Sequence, residues 1–471
     1  MTLTNGNLVT IDDLSRGEIE AVFSLADQMA DSMDKQFGVC KGKIMASLFF
    51  EPSTRTRLSF ETAMHRLGGS VITAADVGAT SLSKGESIAD MARVIGSYAD
   101  IIVIRHPWEG AAKVVADYAG VPVINAGDGG HEHPTQTLCD LYTIKKERQN
   151  IKGLRIALWG DLKYGRTIPS LVYALARFGA TILFRPGPGL ELPEHVMNKL
   201  GSEYTGRLER YANLDDKVKQ RLFPLDAIYI TPSKPHQLAN IPSVSAQVEL
   251  EEGVDVLYVT RLQLERLATS EEGEELKKGY PVVDRKLLRE REFKKTLVLH
   301  PLPRINELAR EIDTDPRSTY FKQAGRGVPV RMALVALLLG AKKATIAEEK
   351  EPFIRAKEYP LYRRGFGVKC ANPRCVSVQK TEANYIKPEF KIIGRRPLTL
   401  RCAYCEHEVY PQYIASSDWH EGKLDSKKYH SADSHWSTKI KPENLIIFGS
   451  ESEARAHGFK PSHYARVSSE K

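Results

Sequence analysis

Along the first 340 residues, two hydrophobic periods alternate. Short apolar runs of strand length, "KIMASLFF" (43–50), "GSVITA" (69–74), "IIVIRH" (101–106) and "VPVINAGDG" (121–129), are each followed by a segment of helical character. Phe60, Met64 and Leu67 mark the first helical segment; the others run Ser87 to Tyr98, Gly110 to Tyr118 and Thr135 to Glu147. The pattern then restarts with "LRIALWG" (154–160), the loop "DLKYGRT", a helix to Phe178 and "ATILFRP" (180–186). Strand and helix in strict alternation predict parallel sheets covered by crossover helices. Two such α/β units, joined near residues 135 to 150, are the simplest account.

Ligands of parallel sheets bind at the carboxyl ends of the strands, so chemistry belongs in the strand-end loops. Arg105-His106 follows "IIVI", "HEHPTQ" (131–136) follows "VINAGDGG", and Arg166-Thr167 closes the loop after "ALWG". Arg261 and Gln263 follow "VLYVT", and "PLPR" follows "LVLH". Arginine, histidine and glutamine at five strand ends describe a cleft for anions. The first strand adds a sixth case. "EPSTRTR" puts Ser53, Thr54, Arg55, Thr56 and Arg57 at a helix start, where unpaired N–H groups and the helix dipole favour an anion.

Composition sharpens the division of the chain. The 471 residues are 42% hydrophobic, enough for about three domains with sizeable cores. The amino terminus carries no basic-then-apolar leader, and the longest apolar run, "MALVALLLGA" (332–341), is too short to span a bilayer, so a cytoplasmic protein without a membrane partner is expected. Net charge is +8, and residues 351–471 hold 21 Lys+Arg against 14 Asp+Glu, so almost all of the excess lies in the last quarter of the chain. Such a bias fits a nucleic-acid surface or a basic face toward protein or solvent. That quarter also holds Cys370, Cys375, Cys402 and Cys405, in two pairs with four and two residues between partners and 26 residues between pairs. Short knuckles at this spacing predict one structural zinc held by four thiolates. Cys40 and Cys139 read as buried packing residues.

"PSTRTR", "RHPWEGAA", "NAGDGGHEHPTQTLCDLYTI", "GDLKYGRT", "YVTRLQLERL" and "HPLPR", in this order over residues 5 to 340, resemble the aspartate carbamoyltransferase catalytic chain. Ornithine carbamoyltransferase, the alternative, shares "STRTR" and "HPTQ" but carries "HCLP" and an "SMG" loop, which this chain lacks. The resemblance implies that Ser53, Thr54, Arg55 and Thr56 hold the phosphate of carbamoyl phosphate, and that Arg105, His133 and Gln136 surround its carbamoyl group. It puts Arg166 and Arg261 on the carboxylates of L-aspartate with Gln263 nearby, and main-chain groups of Pro301 and Leu302 on the amino and carbamoyl atoms. Thr56, Arg105 and His133 would form the oxyanion site. Ser81 and Lys84, in "TSLSKGES", would complete a neighbouring subunit's site and be needed for catalysis there, which makes a homotrimer the smallest active assembly. No cofactor is expected for the reaction, a step of pyrimidine biosynthesis.

The implied domains are 1–140 for carbamoyl phosphate, with a helix at 328–340 packing back, and 141–327 for aspartate, with an insert near 207–243 that has no assigned role. A linker, 341–368, leads to a zinc domain, 369–413, that resembles the one in aspartate carbamoyltransferase regulatory chains. The linker is too short for a nucleotide-binding domain. The basic tail, 414–471, resembles an Ada-type finger with Ser434, Ser462 and Ala465 at cysteine positions, so no second metal is expected, and His430, His435, His457 and His463 read as exposed. A nucleic-acid-binding or scaffold protein on an inactive carbamoyltransferase fold is the rival class. Retention of every cleft residue type and a tail thin in interleaved aromatics speak against it.

Overall fold

A computed structural model describes residues 3–33, 37–75, 81–187, 189–204, 207–210, 225–231, 253–261, 282–343, 345–346, 359–364, 367–418 and 427–465. They form two compact units: Met1–Ala75, Tyr98–Arg105 and Val121–Arg355 in one, Asp76–Ser97, His106–Gly120 and Ala356–Lys471 in the other.

The first unit is built on two sheets. Strands β1 (Ile44–Phe49), β2 (Ser70–Ala74), β3 (Ile101–His106) and β4 (Val123–Asp128) lie in the order β2-β1-β3-β4, with β1 parallel to both neighbours. The second sheet is parallel throughout, in the order β10-β9-β8-β5-β6-β7, from β5 (Arg155–Gly160), β6 (Thr181–Pro186), β7 (Arg207–Arg210), β8 (Ala227–Ile230), β9 (Val256–Val259) and β10 (Leu297–Leu299). Interior strands such as β3 and β8 are buried at every position, as crossover helices on both faces require, whereas edge strand β2 is not. The unit's helices include α1 (Arg16–Ala30), α2 (Thr54–Arg66), α5 (Pro134–Arg148), α6 (Ile168–Arg177), α7 (Glu194–Glu203) and α8 (Tyr320–Leu338); α3 (Ile88–Gly96) and α4 (Ala111–Tyr118) belong to the second. The apolar run at 332–341 lies largely in α8, which packs against α1, α2 and α5. Among the described residues no helix is long and apolar enough to cross a membrane.

In the second unit β11 (Leu361–Tyr362), β12 (Phe390–Arg395), β13 (Leu398–Cys402) and β14 (Glu408–Val409) form one antiparallel sheet. β15 (Tyr413–Ser416), β16 (Lys428–Ser431), β17 (Leu445–Phe448) and β18 (Lys460–Pro461) form another, in the order β17-β15-β16-β18. β11 falls inside the stretch read from sequence as linker, and the Tyr362 hydroxyl oxygen ties it to this core by accepting the Ile447 N–H at 3.1 Å. One core runs through the four cysteines, Phe390, Leu400, Ile414, Ile440 and Ile447, across residue 413.

The cysteine module holds α3 and α4 through backbone and side chain. Glu109 exchanges main-chain bonds with Arg374 and Val376, both at 2.9 Å, and its carboxylate accepts from Asn372 at 2.6 Å. The Glu382 carboxylate accepts the Ile88 N–H at the start of α3. Gly110, at φ +85°, lies so close to Tyr404 that a β-carbon would sit 2.6 Å from the tyrosine's own. In the tail, one expectation fails in part. His430 and His435 are half-buried, not exposed: the His430 ring stacks on Trp436 with centroids 4.8 Å apart, and His435 packs against Trp436 and Tyr464, whereas His457 and His463 are exposed.

Candidate active site

The first unit holds a cleft of about 400 Å³ at the strand ends. β1 ends at Phe49 and α2 begins at Thr54, with Ser53 at the N-cap in an extended conformation whose side chain makes no capping bond. Its hydroxyl and the first N–H groups of α2 therefore face the same space. Ser53, Thr54, Arg55 and Thr56 all line the cleft. Arg55 donates to the Leu302 carbonyl at 2.6 Å, and burial with the nearby Arg261 lowers its pKa. Two guanidiniums repelling each other in a partly dry space favour an anion between them.

Arg105 is the penultimate residue of β3 and is buried. It donates to the Ala126 carbonyl at 3.2 Å and to Glu51 at 3.1 Å. Gly127, at φ +114°, makes room: a β-carbon there would lie 3.1 Å from the Arg105 guanidinium and 3.3 Å from the His133 ring. His133 is the N-cap of α5, and Pro134, at the first helical position, presets the turn that places it. The His133 N–H donates to Ser170 Oγ at 3.0 Å, which itself donates to Glu132 at 2.7 Å. Burial, then Arg105, Arg331 and Arg166, push the His133 pKa well below the ordinary histidine range. It is a neutral imidazole among cations. Thr135 Oγ1 lies 3.4 Å from Nδ1, which suits the tautomer carrying its proton on Nε2.

Gln136 follows on α5, and Arg166 and Thr167 come from the loop after β5. Arg166 pairs with Glu51, which thus braces two arginines across the two sheets. Burial drives the Glu51 carboxyl upward, but Arg105 and Arg166 outweigh it and hold the pKa below the ordinary value. Arg261 lines the cleft from the end of β9, and Pro301 and Leu302 from the end of β10. Leu302 sits at φ +52°, a left-handed conformation rare for leucine, with its N–H on His300 Nδ1 at 2.8 Å. The structure brings together Ser53, Thr54, Arg55, Thr56, Arg105, His133, Gln136, Arg166, Arg261, Pro301 and Leu302. Lys84 is exposed in the turn Ser81–Lys84 of the second unit and is not among the lining residues. Gln263 and most of the insert near 207–243 lie outside the described residues. Sequence reasoning misses Tyr229, Thr231 and Arg331, which line the cleft, and Glu51, which braces two of its arginines; only Glu51, an acid at a strand end directly before the phosphate motif, leaves a signal there.

Residues 6–146 match the family model of the aspartate/ornithine carbamoyltransferase carbamoyl-phosphate-binding domain, and 233–338 that of the aspartate/ornithine-binding domain. The aspartate carbamoyltransferase catalytic subunit of Thermoplasma acidophilum is 45% identical over 340 residues, 72% of this chain and 99% of the relative. The chain belongs to the aspartate/ornithine carbamoyltransferase family. The catalytic subunit of the M. jannaschii aspartate transcarbamoylase superposes on this carbamoyltransferase with a TM-score of 0.57 at 41% identity, covering 71% of this chain and 98% of that one. The Trypanosoma cruzi aspartate transcarbamoylase, solved with carbamoyl phosphate and aspartate, gives 0.55 at 34%, covering 71% and 95%.

Residues 364–415 match the metal-binding domain of the aspartate carbamoyltransferase regulatory chain. All four module cysteines are buried, and their sulfurs lie within 4.8 Å of one another, with Cys370 and Cys405 3.4 Å apart and Cys375 and Cys402 3.8 Å apart. A tetrahedral ion with ligand bonds of about 2.3 Å needs sulfurs about 3.8 Å apart, so the donor set fits a four-thiolate metal site.

Proposed function

We propose that this carbamoyltransferase moves the carbamoyl group of carbamoyl phosphate to the amine of L-aspartate, giving N-carbamoyl-L-aspartate and phosphate for pyrimidine biosynthesis. One observation carries the reading: a single cleft joins a helix-start phosphate cradle, a neutral histidine beside a buried arginine, and two arginines from the second sheet. The aspartate amine attacks the carbonyl carbon, charge builds on the carbonyl oxygen, and the bond to phosphate breaks. Thr56, Arg105 and Nε2–H of His133 donate to that oxygen. A neutral His133 gives a hydrogen bond without competing for the amine's proton, which the departing phosphate takes. Each preorganised donor contributes about 3 kcal/mol to the transition state. Arg166 and Arg261 fix the two aspartate carboxylates, and holding both substrates in one geometry supplies much of the remaining acceleration.

In this reading Gln136 holds the carbamoyl group, Gln263 stands near aspartate, and Ser81 and Lys84 serve a neighbouring subunit in a homotrimer. The halves 1–140 and 141–327 carry the two substrates. The module takes one zinc, whose role is structural: when bound, it ties two knuckles into one core, and the residues of the cleft perform the reaction. Reduced cysteines in the module suit the cytoplasm. The test is phosphate release from carbamoyl phosphate with aspartate and with ornithine as acceptor; faster turnover of ornithine overturns the assignment. Shared sites are tested by mixing Lys84→Ala with Arg105→Ala chains, each nearly inactive alone. Recovered activity in hybrids supports the trimer, and none after verified exchange removes Lys84 from the partner's site.

A further inference from the structure

Asp140 lies one turn beyond Gln136 on α5, 2% exposed, and no step above uses it. Its Oδ1 accepts from two side-chain amides at once, Gln136 Nε2 at 2.8 Å and Gln323 Nε2 at 2.7 Å; its Oδ2 accepts from the Tyr258 hydroxyl at 3.1 Å. Gln323, on α8, accepts the His300 N–H through Oε1 at 2.9 Å. His300 in turn accepts the Leu302 N–H, and the Leu302 carbonyl accepts from Arg55. The bonds run from the carbamoyl side of the cleft to the loop on its aspartate side and return to the phosphate cradle.

The two ends of a glutamine amide have nearly the same shape, so its partners decide which end faces the substrate. An ionised carboxylate only accepts. It therefore holds the Nε2 ends of both glutamines, which leaves Gln136 Oε1 for the cleft and Gln323 Oε1 for the loop. We propose that Asp140 is a positioning residue that couples the two substrate half-sites: it orients Gln136 toward the carbamoyl group and, through Gln323 and His300, the Leu302 loop toward aspartate. This rests on the carbamoyltransferase reading above.

Burial raises the Asp140 pKa to about 7 against the hydrogen bonds from Gln323, Gln136 and Tyr258 and the charge of Arg331. The charged and titratable groups facing it are Arg331 on α8, Tyr258 on β9, Tyr229 on β8, stacked on Tyr258 at 4.3 Å, and Cys139 beside it on α5. Above that pH the carboxylate is an anion that only accepts and holds both amides with charge-assisted bonds; below it Asp140 gains a proton, and both bonds weaken together because they share Oδ1.

Initial rates with carbamoyl phosphate and aspartate are measured from about pH 6 to about pH 9 for the wild type and Asp140→Asn, and at the alkaline end for Gln136→Ala, Gln323→Ala and the double variant. kcat/KM for aspartate should fall on the acid side near neutrality in the wild type, and that limb should disappear in Asp140→Asn, which cannot titrate. The double variant should be at least about 5-fold more active than the product of the single losses, because both break one chain of bonds. An acid limb unchanged in Asp140→Asn, or losses that multiply, overturns the coupling. Should Asp140→Asn not fold, the glutamine cycle alone decides. A wild-type chain that carbamoylates no aspartate overturns the parent reading instead.

Discussion

In the cleft, four arginines arrive from four separate strand ends, and their spacing is kept by what surrounds them: Glu51 between Arg105 and Arg166, the Leu302 carbonyl on Arg55, burial around Arg105. In the module, four thiols arrive from two short segments, and each pair is close before the core forms. The first site is assembled by long-range topology and concentrates positive charge for an anionic substrate. The second is assembled locally and concentrates acceptors for a cation. A site of the first kind can lose a member and leave the fold standing, since the sheets hold the remainder in place. A site of the second kind is part of its own core, so losing a member loosens the core.

The largest test of that contrast is Arg105→Ala or His133→Ala. Each should lower turnover by about 10² or more while metal content and melting temperature stay near wild type. A variant that melts early would show that the cleft residues also hold the fold. Next comes Cys402→Ser or chelation: metal analysis should fall from one ion per chain to none, and proteolysis should open the module between β11 and β18. Carbamoyl phosphate affinity should weaken far less than in the Arg105 variant. An equal loss in the cleft would erase the distinction between the two regions. A smaller effect belongs to Glu382→Ala, which removes the acceptor for the Ile88 N–H and should cost about 1 kcal/mol, read as a lower denaturant midpoint. An unchanged midpoint would mean that solvent serves the helix start equally well.

The smallest effect is a matter of pH. Burial, then His435 and Lys428, lower the His430 pKa to about 4, below its unfolded value of 6.5. Between those values the unfolded tail binds a proton that the folded tail does not, so stability should decline as pH falls from about 6.5 toward 4. His430→Phe should flatten that decline. An identical acid profile in the variant would assign it to other groups.

Much of this was readable in the sequence, for reasons that differ between the regions. The alternation of strand and helix runs gave both parallel sheets, because two-sided burial writes itself as continuous apolar strands. Cysteine spacing gave the metal site, because its geometry is local. Glu51 was hard to see, since its role exists only once β3 and the loop after β5 bring Arg105 and Arg166 to it. Asp140 looked like any polar residue on α5; its burial depends on α8 and β9, far along the chain. The grouping of α3 and α4 with the cysteine module was equally hidden, because main-chain bonds from Glu109 to Arg374 and Val376 leave no mark on composition.

The return of α8 onto α1, α2 and α5 has a consequence during synthesis. The amino-terminal sheet and its helices are complete as polypeptide once α5 has been made, yet the helix that closes their apolar faces is encoded some 180 residues later. At about 5–20 residues per second a ribosome takes roughly 10 to 40 s to cover that distance. For that interval the nascent chain carries the uncovered flanks of α1, α2 and α5, and a chaperone or the still-forming second sheet must shield them. α3 and α4 wait longer still, until the cysteine knuckles emerge. A ribosome stalled before residue 320 would therefore be expected to display an amino-terminal half that binds chaperones strongly, and one stalled after 340 a half that has let them go.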